Sequence, residues 1–436
     1  MANGCNKYRP EPAAVYVVDG ARTPFLKARS VGPFSGSDLA VACGRALLNR
    51  QRFEPDALDE VILGAMIPGP DEASIGRVAA LRMGCGHEVT AWTVQRNCAS
   101  GMQALDSAMR NIASGRTLLV LAGGTDAMSH APVLWGRAMV EWLVGWQGAR
   151  DLPSRLGVLA KLRPKHLVPV ISLLRGLTDP TVNLSMGQTA EIIAKRFGIS
   201  RQAMDEFAVE SHHRLAAAQK EGRLSEIEPL FDHLGKFYDY DDGVRPDSTT
   251  EKLAKLRPVF DRKFGHVTAG NSAQITDGAA WMVLASGEAV QRMDLPVLGR
   301  LIDIRWAGLD PAEMGLGPAH AVPPLLKRHR IKPEKVDCWE INEAFAAQVL
   351  GVLAAWEDKS YCREFLGLSS PFGRIDRALL NQDGGAIALG HPIGASGARI
   401  VSHALNSLRQ RGGRYGVATL CIGGGQGGAT LVEAMS

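Results

Sequence analysis

Two stretches of the chain share a plan that decides the fold: RFEPDALDEVILG at residues 52–64 and RIKPEKVDCWEIN at residues 330–342. Each has a basic residue, a proline and then an apolar run that indicates a buried strand. A strand and a helix precede each stretch, and a helix and a strand follow it. The same five features in the same order predict two pseudo-symmetric α/β halves with largely parallel sheets, separated by a third region at about 130–255.

Composition narrows the class of protein. The chain has 436 residues, 46% of them hydrophobic, and a net charge of +4, which excludes the strongly basic surface of a nucleic-acid partner. Seven scattered cysteines do not suggest a disulfide framework, and neither they nor the pair His212–His213 have the spacing of a metal site. Residues 1–12 lack the apolar core of a secretory signal and no apolar run is long enough to cross a membrane, so we expect a cytoplasmic location.

Cys98 and His391 occupy corresponding places in the two halves. Each stands at the start of a helix, and the Ala-Ser-Gly turn recurs beside both, at residues 99–101 and 395–397. Free backbone N–H groups and the positive helix end favour a thiolate at Cys98. Pseudo-symmetry brings the two helix ends to one pocket, which predicts a Cys–His pair for nucleophilic catalysis. An inert buried cysteine is the alternative.

Cys421 ends a strand and is followed by the glycine-rich run at residues 423–428. The run satisfies GxGxxG, but a strand and the end of the sequence follow it, whereas a dinucleotide site needs a helix and a later acid. We expect the glycines to present backbone N–H groups to a ligand. Asn342 has two interpretations, as a cap of a helix at residues 343–347 or as a functional amide.

These residues together resemble the thiolase family. The resemblance implies the thiolase fold, with two pseudo-symmetric α/β halves in a layered αβαβα core and an inserted loop domain. It gives residues 1–129 and 256–292 to the N-terminal half, 130–255 to the loop domain and 293–436 to the C-terminal half. The motifs that carry it are Asn97–Ala104, Asn342–Ala346, Gly390–Gly397 and Cys421–Gly427, with support from Gly20–Phe25, Gly123–Ser129, Met186–Glu191, Arg257–Phe260 and Asp277–Ala280.

The resemblance also implies roles. Cys98 is the acylated nucleophile, His391 activates it and deprotonates the incoming CoA thiol, and Cys421 is the acid and base at the α-carbon. One oxyanion hole uses the N–H groups of Cys98 and Gly423, and the other uses His391 with a water held by Asn342. Donors of this kind each contribute about 3 kcal/mol to transition-state stabilisation. The residues expected at the substrate are Met186, Ser272, Ala344 and Phe345.

The activity implied is that of a 3-ketoacyl-CoA thiolase in fatty-acid β-oxidation, with CoA and acyl-CoA as substrates, no bound cofactor and no metal. Alternatives are an acetyl-CoA C-acetyltransferase, a β-ketoacyl synthase-like enzyme and a non-catalytic acyl-CoA carrier. A synthase is expected to have a second histidine near Asn342, and a carrier to have lost Cys98, His391 or Cys421. The resemblance further implies a homodimer or homotetramer.

Two segments depart from the short-chain members of the family. Ser185 stands where they have a histidine, and residues 271–274 read Asn-Ser-Ala-Gln where they have Asn-Ala-Ser-Gly. Residues 130–179 are longer than theirs, rich in leucine, tryptophan and arginine, and resemble the thiolase subunits of trifunctional β-oxidation complexes. A basic amphipathic stretch suits a hydratase/dehydrogenase partner subunit, a lid over a long acyl chain, a membrane surface, or helices that simply pack on the protein.

Overall fold

The computed structural model describes residues 14–435; the amino-terminal segment discussed above lies outside them. The helices are α1 Gly36–Asn49, α2 Ile75–Met83, α3 Ser100–Ala113, α4 Arg137–Gly148, α5 Leu152–Leu159, α6 Ser172–Gly176, α7 Met186–Arg196, α8 Arg201–Lys220, α9 Thr250–Ala254, α10 Gly287–Arg292, α11 Gly317–His329, α12 Ala346–Glu357, α13 Lys359–Glu364, α14 Ala386–Leu389 and α15 Ile393–Arg411. Over the described range no helix is both long and apolar enough to cross a bilayer.

The strands divide between one large sheet and three small two-stranded ones. The large sheet has the order β14-β15-β16-β13-β1-β12-β5-β3-β4, with β2 beside β12. The strands are β1 Val15–Arg22, β2 Leu26–Lys27, β3 Glu60–Gly64, β4 Thr90–Val94, β5 Leu119–Ala127, β6 Val133–Trp135, β7 Pro169–Ile171, β8 Thr178–Asp179, β9 Leu184–Ser185, β10 Leu230–Phe231, β11 Phe237–Tyr238, β12 Thr276–Ser286, β13 Gly299–Gly308, β14 Cys338–Ile341, β15 Tyr415–Ile422 and β16 Gln426–Ala434.

The predicted repeat is present in this sheet. The two opening stretches contain β3 and β14, which lie at corresponding places on either side of the junction between β1 and β13. The junction itself is an antiparallel pairing of Val15 with Leu301 and of Val17 with Gly299. One sheet therefore runs through both halves.

The expectation of largely parallel sheets is wrong. Only β3–β4, β3–β5 and β14–β15 pair in parallel, and the remaining pairs of the large sheet are antiparallel. The physical reason is plainest at β15 and β16, which are joined by a three-residue turn that can connect only antiparallel neighbours. Gly424 and Gly425 in this turn have φ of +89° and +72°, which glycine tolerates best.

Alternation along the strands creates the expected five layers. In β5, Leu119 and Leu121 pack with α1 and α2, whereas Val120 and Ala122 pack with α3 and α15. On the far side, Trp339, Val417 and Leu431 pack with α11 and α12. The order is thus helices, sheet, the central pair α3 and α15, sheet and helices, as the resemblance implies.

The central helices approach each other closely because glycines face the contact. A Cβ at Gly101 of α3 would lie 2.6 Å from the carbonyl oxygen of Gly394 in α15. A Cβ at Gly124, within β5, would lie 1.9 Å from the same oxygen. This packing brings the start of α15 to the carboxyl ends of the parallel strands β3 and β5.

Candidate active site

Cys98 lies in a tight turn between β4 and α3. Asn97, before it, has a left-handed φ of 44°. The hydroxyl of Ser100 donates to the carbonyl oxygen of Asn97 at 2.7 Å and accepts from the N–H of Arg96 at 2.9 Å. These bonds hold the turn so that Cys98 stands just ahead of the first residue of α3, where unpaired helix N–H groups point.

The Cys98 thiol is held protonated in the resting structure. Burial raises the pKa of Cys98, and hydrogen bonds from the N–H groups of Gly423 and of Cys98 itself oppose that effect without overcoming it. The backbone N–H groups favour the thiolate, as expected, but desolvation has the larger effect on the pKa of Cys98. The thiol needs a base.

His391 presents an unprotonated ring nitrogen in the same cavity as Cys98. Its Nδ1 lies 2.6 Å from Oγ of Ser396, whose own hydrogen goes to the carbonyl oxygen of Pro392 at 2.9 Å. Ser396 therefore accepts, the proton of the neutral ring is on Nδ1, and Nε2 presents a lone pair. Within residues 14–435, Nε2 has no hydrogen-bond partner. Burial and the nearby Arg399 lower the pKa of His391 to about 4, so the ring is neutral at pH 7.

Cys421 is the second thiol of the site. It lies near the end of β15 and is buried. Burial, and then the proximity of Cys98, raise its pKa far above the ordinary value for a thiol. Cys421 therefore carries a proton at neutral pH.

Asn342 and Gly423 are the two remaining residues that were expected to supply hydrogen-bond donors. Asn342 is 1% exposed, and its side-chain nitrogen and oxygen both lack a partner among the described residues, which is costly for a buried amide and marks a place for a small polar molecule. It does not cap a helix, since α12 begins at Ala346 after Phe345. Gly423 is held by Asn97, whose Nδ2 donates to its carbonyl oxygen at 2.8 Å.

A cavity of about 590 Å³ collects most of these residues. Cys98, His391 and Cys421 line it, and so do all four residues expected at the substrate; Asn342 and Gly423 are not in its described wall. The ring of Phe345 meets that of Phe260 edge to face, and the hydroxyl of Ser272 donates to Thr268 at 2.7 Å. Further wall residues are Lys27, Met128, Leu174, Leu177, Thr178, His212, Arg245, Val259, Met314 and Ile387.

The sequence analysis did not predict that several of these residues belong to the site. His212 is buried in the cavity wall, where its Nδ1 accepts from the N–H of Arg245 at 3.1 Å. Burial lowers the pKa of His212 to about 4, and the positive charge of Arg245 is the second cause. Asn97 and Ser396 lie within the thiolase motifs, but no role was predicted for either. In the described residues no group of three or more His, Cys, Asp or Glu could hold a metal.

One cavity thus holds a thiol, a neutral imidazole with a free lone pair and a second protonated thiol, the set of groups that defines an acyl-transferring cysteine enzyme. The chain belongs to the thiolase family. Residues 15–288 match the model of the thiolase N-terminal domain, and residues 295–434 match that of the thiolase C-terminal domain.

Named relatives cover almost the whole chain. A 3-ketoacyl-CoA thiolase of Yersinia enterocolitica is 37% identical over 96% of both sequences. The crystal structure of human mitochondrial 3-ketoacyl-CoA thiolase in complex with CoA has a TM-score of 0.83 and 34% identity, covering 97% of this chain and 98% of that one. An acetyl-CoA acetyltransferase from Syntrophomonas wolfei has a TM-score of 0.84 and 33% identity, covering 98% and 100%.

Proposed function

We propose that the protein is a 3-ketoacyl-CoA thiolase, an acyltransferase that uses CoA to cleave a 3-ketoacyl-CoA into acetyl-CoA and an acyl-CoA shorter by two carbons, as in fatty-acid oxidation. The observation that carries the proposal is the shared cavity of Cys98, His391 and Cys421, with Nε2 of His391 unprotonated. The relatives named above support the same activity. CoA enters as a substrate.

In the first half-reaction, Nε2 of His391 takes the proton of the Cys98 thiol, and the thiolate attacks the 3-keto carbon. The resulting alkoxide collapses and the bond between C2 and C3 breaks, leaving the acyl group on Cys98. The electron pair stays on C2 as the enolate of acetyl-CoA, which takes the proton of the Cys421 thiol. Acetyl-CoA leaves, and the proton held by His391 returns to Cys421.

In the second half-reaction, His391 takes the proton of the incoming CoA thiol. The CoA thiolate attacks the thioester carbonyl, the bond to Cys98 breaks, and the Cys98 sulfur recovers the proton from His391. Developing oxyanions are stabilised by the N–H groups of Cys98 and Gly423 in one place, and by His391 with a water on Asn342 in the other. The N–H of Gly423 is among the groups that lower the pKa of the Cys98 thiol, which supports its assignment.

Separate assays of the two half-reactions test these roles. Cys421→Ala is expected to retain exchange of labelled CoA with an ordinary acyl-CoA, because that exchange needs only Cys98 and His391. Its rate of carbon–carbon cleavage should fall at least about 100-fold, the usual contribution of a general acid. Cys98→Ala should lose both activities. Full thiolysis by Cys98→Ala would overturn the mechanism.

An acetyl-CoA C-acetyltransferase is the second candidate, because the Syntrophomonas wolfei acetyltransferase is as similar in structure as the 3-ketoacyl-CoA thiolase. The two differ in the acyl chain that they accept. The apolar wall contributed by Met128, Leu174 and Leu177 favours a longer chain. A kcat/KM series from acetoacetyl-CoA to 3-ketohexadecanoyl-CoA decides: a strong preference for the four-carbon substrate would leave only the acetyltransferase.

We also propose that the chain forms a homodimer, or a homotetramer of two such dimers. β4 is the outer strand of the large sheet, and Trp92 on it is 36% exposed, so an edge is open to pairing with a second copy. Light scattering on the purified protein tests the assembly, with Trp92→Lys expected to shift it towards the monomer. A hydratase/dehydrogenase partner subunit and a cytoplasmic location stay predictions.

A further inference from the structure

Asp126 lies between the two turns that carry Cys98 and His391. It is the last residue but one of β5, is 2% exposed and does not belong to the described wall of the cavity. The reaction steps given above make no use of it. Because a buried carboxyl group is stable only with hydrogen-bond donors around it, its donors show which parts of the chain it holds together.

The donors to Asp126 come from both halves of the fold. Its Oδ1 accepts from the N–H groups of Met66 and Ile67, at 3.0 and 2.8 Å, in the segment that follows β3. Its Oδ2 accepts from the N–H of Gly394 at 2.6 Å, in the first turn of α15 and three residues after His391. One carboxyl group therefore joins the N-terminal half to the turn that carries the histidine.

The segment after β3 is in turn bonded to the residues that lead into Cys98. The N–H of Ala65 donates to the carbonyl oxygen of Val94 at 3.1 Å, and Nε2 of Gln95 donates to that of Met66 at 3.1 Å. A shift of this segment would therefore move the turn of the nucleophile as well.

The turn that carries His391 is held against the N-terminal half. The N–H of His391 donates to the carbonyl oxygen of Gln274 at 3.1 Å. A Cβ at Gly394 would lie 2.3 Å from the carbonyl oxygen of Thr125 and 2.9 Å from Oδ2 of Asp126, so this turn rests directly on β5. Asp126 thus bonds the turn at a place where the two halves are in direct contact.

We propose that Asp126 is a positioning residue, which holds Nε2 of His391 at the distance from the Cys98 sulfur that proton transfer requires. Proton transfer needs the two atoms within hydrogen-bond reach, and a misplacement of about 1 Å can lower a rate about 100-fold. Asp126 is suited to this role because its two oxygens bond the two turns separately. The inference rests on the proposed reaction of Cys98 with His391, and it adds a residue that lies outside the cavity wall.

Asp126→Asn is the substitution that breaks this link with the smallest change in shape. Both oxygens of a carboxyl group retain lone pairs, whether or not the group is protonated, whereas an amide nitrogen accepts no hydrogen bond. Asparagine can therefore accept from Met66 and Ile67, or from Gly394, but not from both sides at once. One of the two turns then loses its anchor.

Assays of the two half-reactions give the first test on the full-length protein. Asp126→Asn should lower CoA exchange and carbon–carbon cleavage by the same factor, at least about tenfold, because both need His391 to accept a thiol proton. KM should change little, since Asp126 lies outside the cavity wall. Asp126→Glu restores two acceptor oxygens and should stay within about fivefold of wild type. An equal loss distinguishes Asp126 from Cys421, whose replacement spares exchange.

Alkylation of Cys98 by iodoacetamide gives a second readout, which needs no thiolase activity. Burial is the largest cause that raises the pKa of Cys98, and the charge of Asp126 adds to it. Loss of that charge alone would therefore speed alkylation, whereas loss of the position of His391 should slow it. We expect alkylation of Asp126→Asn to be at least about threefold slower than that of wild type, because thiolate formation at Cys98 relies on the base.

Asp59 offers a matched control at the other end of the same strand. Its Oδ2 accepts from the N–H groups of Leu118 and Leu119, at 2.6 and 2.9 Å, where β5 begins. Asp59→Asn changes the same kind of carboxyl–backbone link away from the cavity, so both activities and the alkylation rate should stay within about twofold of wild type. Melting temperature and circular dichroism confirm the folding of every variant.

Faster alkylation in Asp126→Asn or Asp126→Glu would overturn the proposal, and so would losses that differ between exchange and cleavage. It would also be overturned if Asp126→Asn behaved like Asp59→Asn. Should Asp126→Asn not fold, Asp126→Glu decides by the same two criteria. Failure of the wild type to cleave a 3-ketoacyl-CoA would instead reject the proposed function, and the alkylation rates would still test the position of His391.

Discussion

Nδ1 of His391 lies 2.6 Å from Oγ of Ser396, and this bond decides which nitrogen of the ring is free. Ser396→Ala removes the acceptor and frees the ring to turn and to change tautomer. We expect kcat for thiolysis to fall at least about tenfold, which is a small part of the rate enhancement that a general base usually contributes. Ser402→Ala, at a buried serine six residues further along α15, should stay near wild type. Equal losses in both variants would mean that Ser396 acts only through helix packing.

Asn97 combines backbone strain with a bond to Gly423, and two variants separate these effects. Asn97→Gly keeps the left-handed backbone but loses the 2.8 Å bond, whereas Asn97→Ala loses the bond and must also adopt a φ of 44°. Both should lower kcat. Asn97→Ala should lower the free energy of unfolding by about 1 kcal/mol more than Asn97→Gly, because alanine tolerates the left-handed backbone less well. Denaturant unfolding and steady-state kinetics of both variants check this. A wild-type kcat in Asn97→Gly would show that the bond from Asn97 does not position Gly423 for the reaction.

The acid limb of activity should lie unusually low. His391 acts as a base only when neutral, and its pKa is lowered from 6.5 to about 4. As pH falls, kcat/KM should hold through pH 6 and decline only on approach to pH 4, where the ring becomes protonated. A pH profile of kcat/KM, with circular dichroism to confirm folding at each pH, tests it. A limb with its midpoint near 6.5 would show that the ring is not desolvated as described.

The buried ion pair between Arg22 and Asp241 should contribute strongly to the stability of the fold. Arg22 donates two hydrogen bonds to Asp241, at 2.7 and 2.8 Å, and both side chains are buried. Asp241→Asn leaves the guanidinium charge without its main partner and should cost about 3–5 kcal/mol of unfolding free energy. Asp294→Asn breaks the exposed pair with Arg52 and should cost less than about 1 kcal/mol. Similar losses would contradict the difference in burial.

Local pattern in the sequence predicted the repeated strands and helices and singled out Cys98, His391 and Cys421, which the structure brings to one cavity. It failed on pairing direction, because β12 returns to the sheet from beyond the loop domain and β16 folds back through a three-residue turn. The sequence also shows the helix end at Cys98, but not the desolvation that raises the pKa of that thiol. The bond from Asn97 to Gly423 joins residues 326 positions apart, so local spacing gives no sign of it.

The pairing of β1 with β13 has a consequence for how the enzyme can work. Cys98 belongs to one half, and His391 and Cys421 belong to the other. A two-lobed enzyme that closed like a clamshell would assemble such groups only when substrate arrived. Here the backbone hydrogen bonds between Val15 and Leu301 and their neighbours leave no hinge between the lobes. Cys98, His391 and Cys421 are consequently in register before any substrate binds.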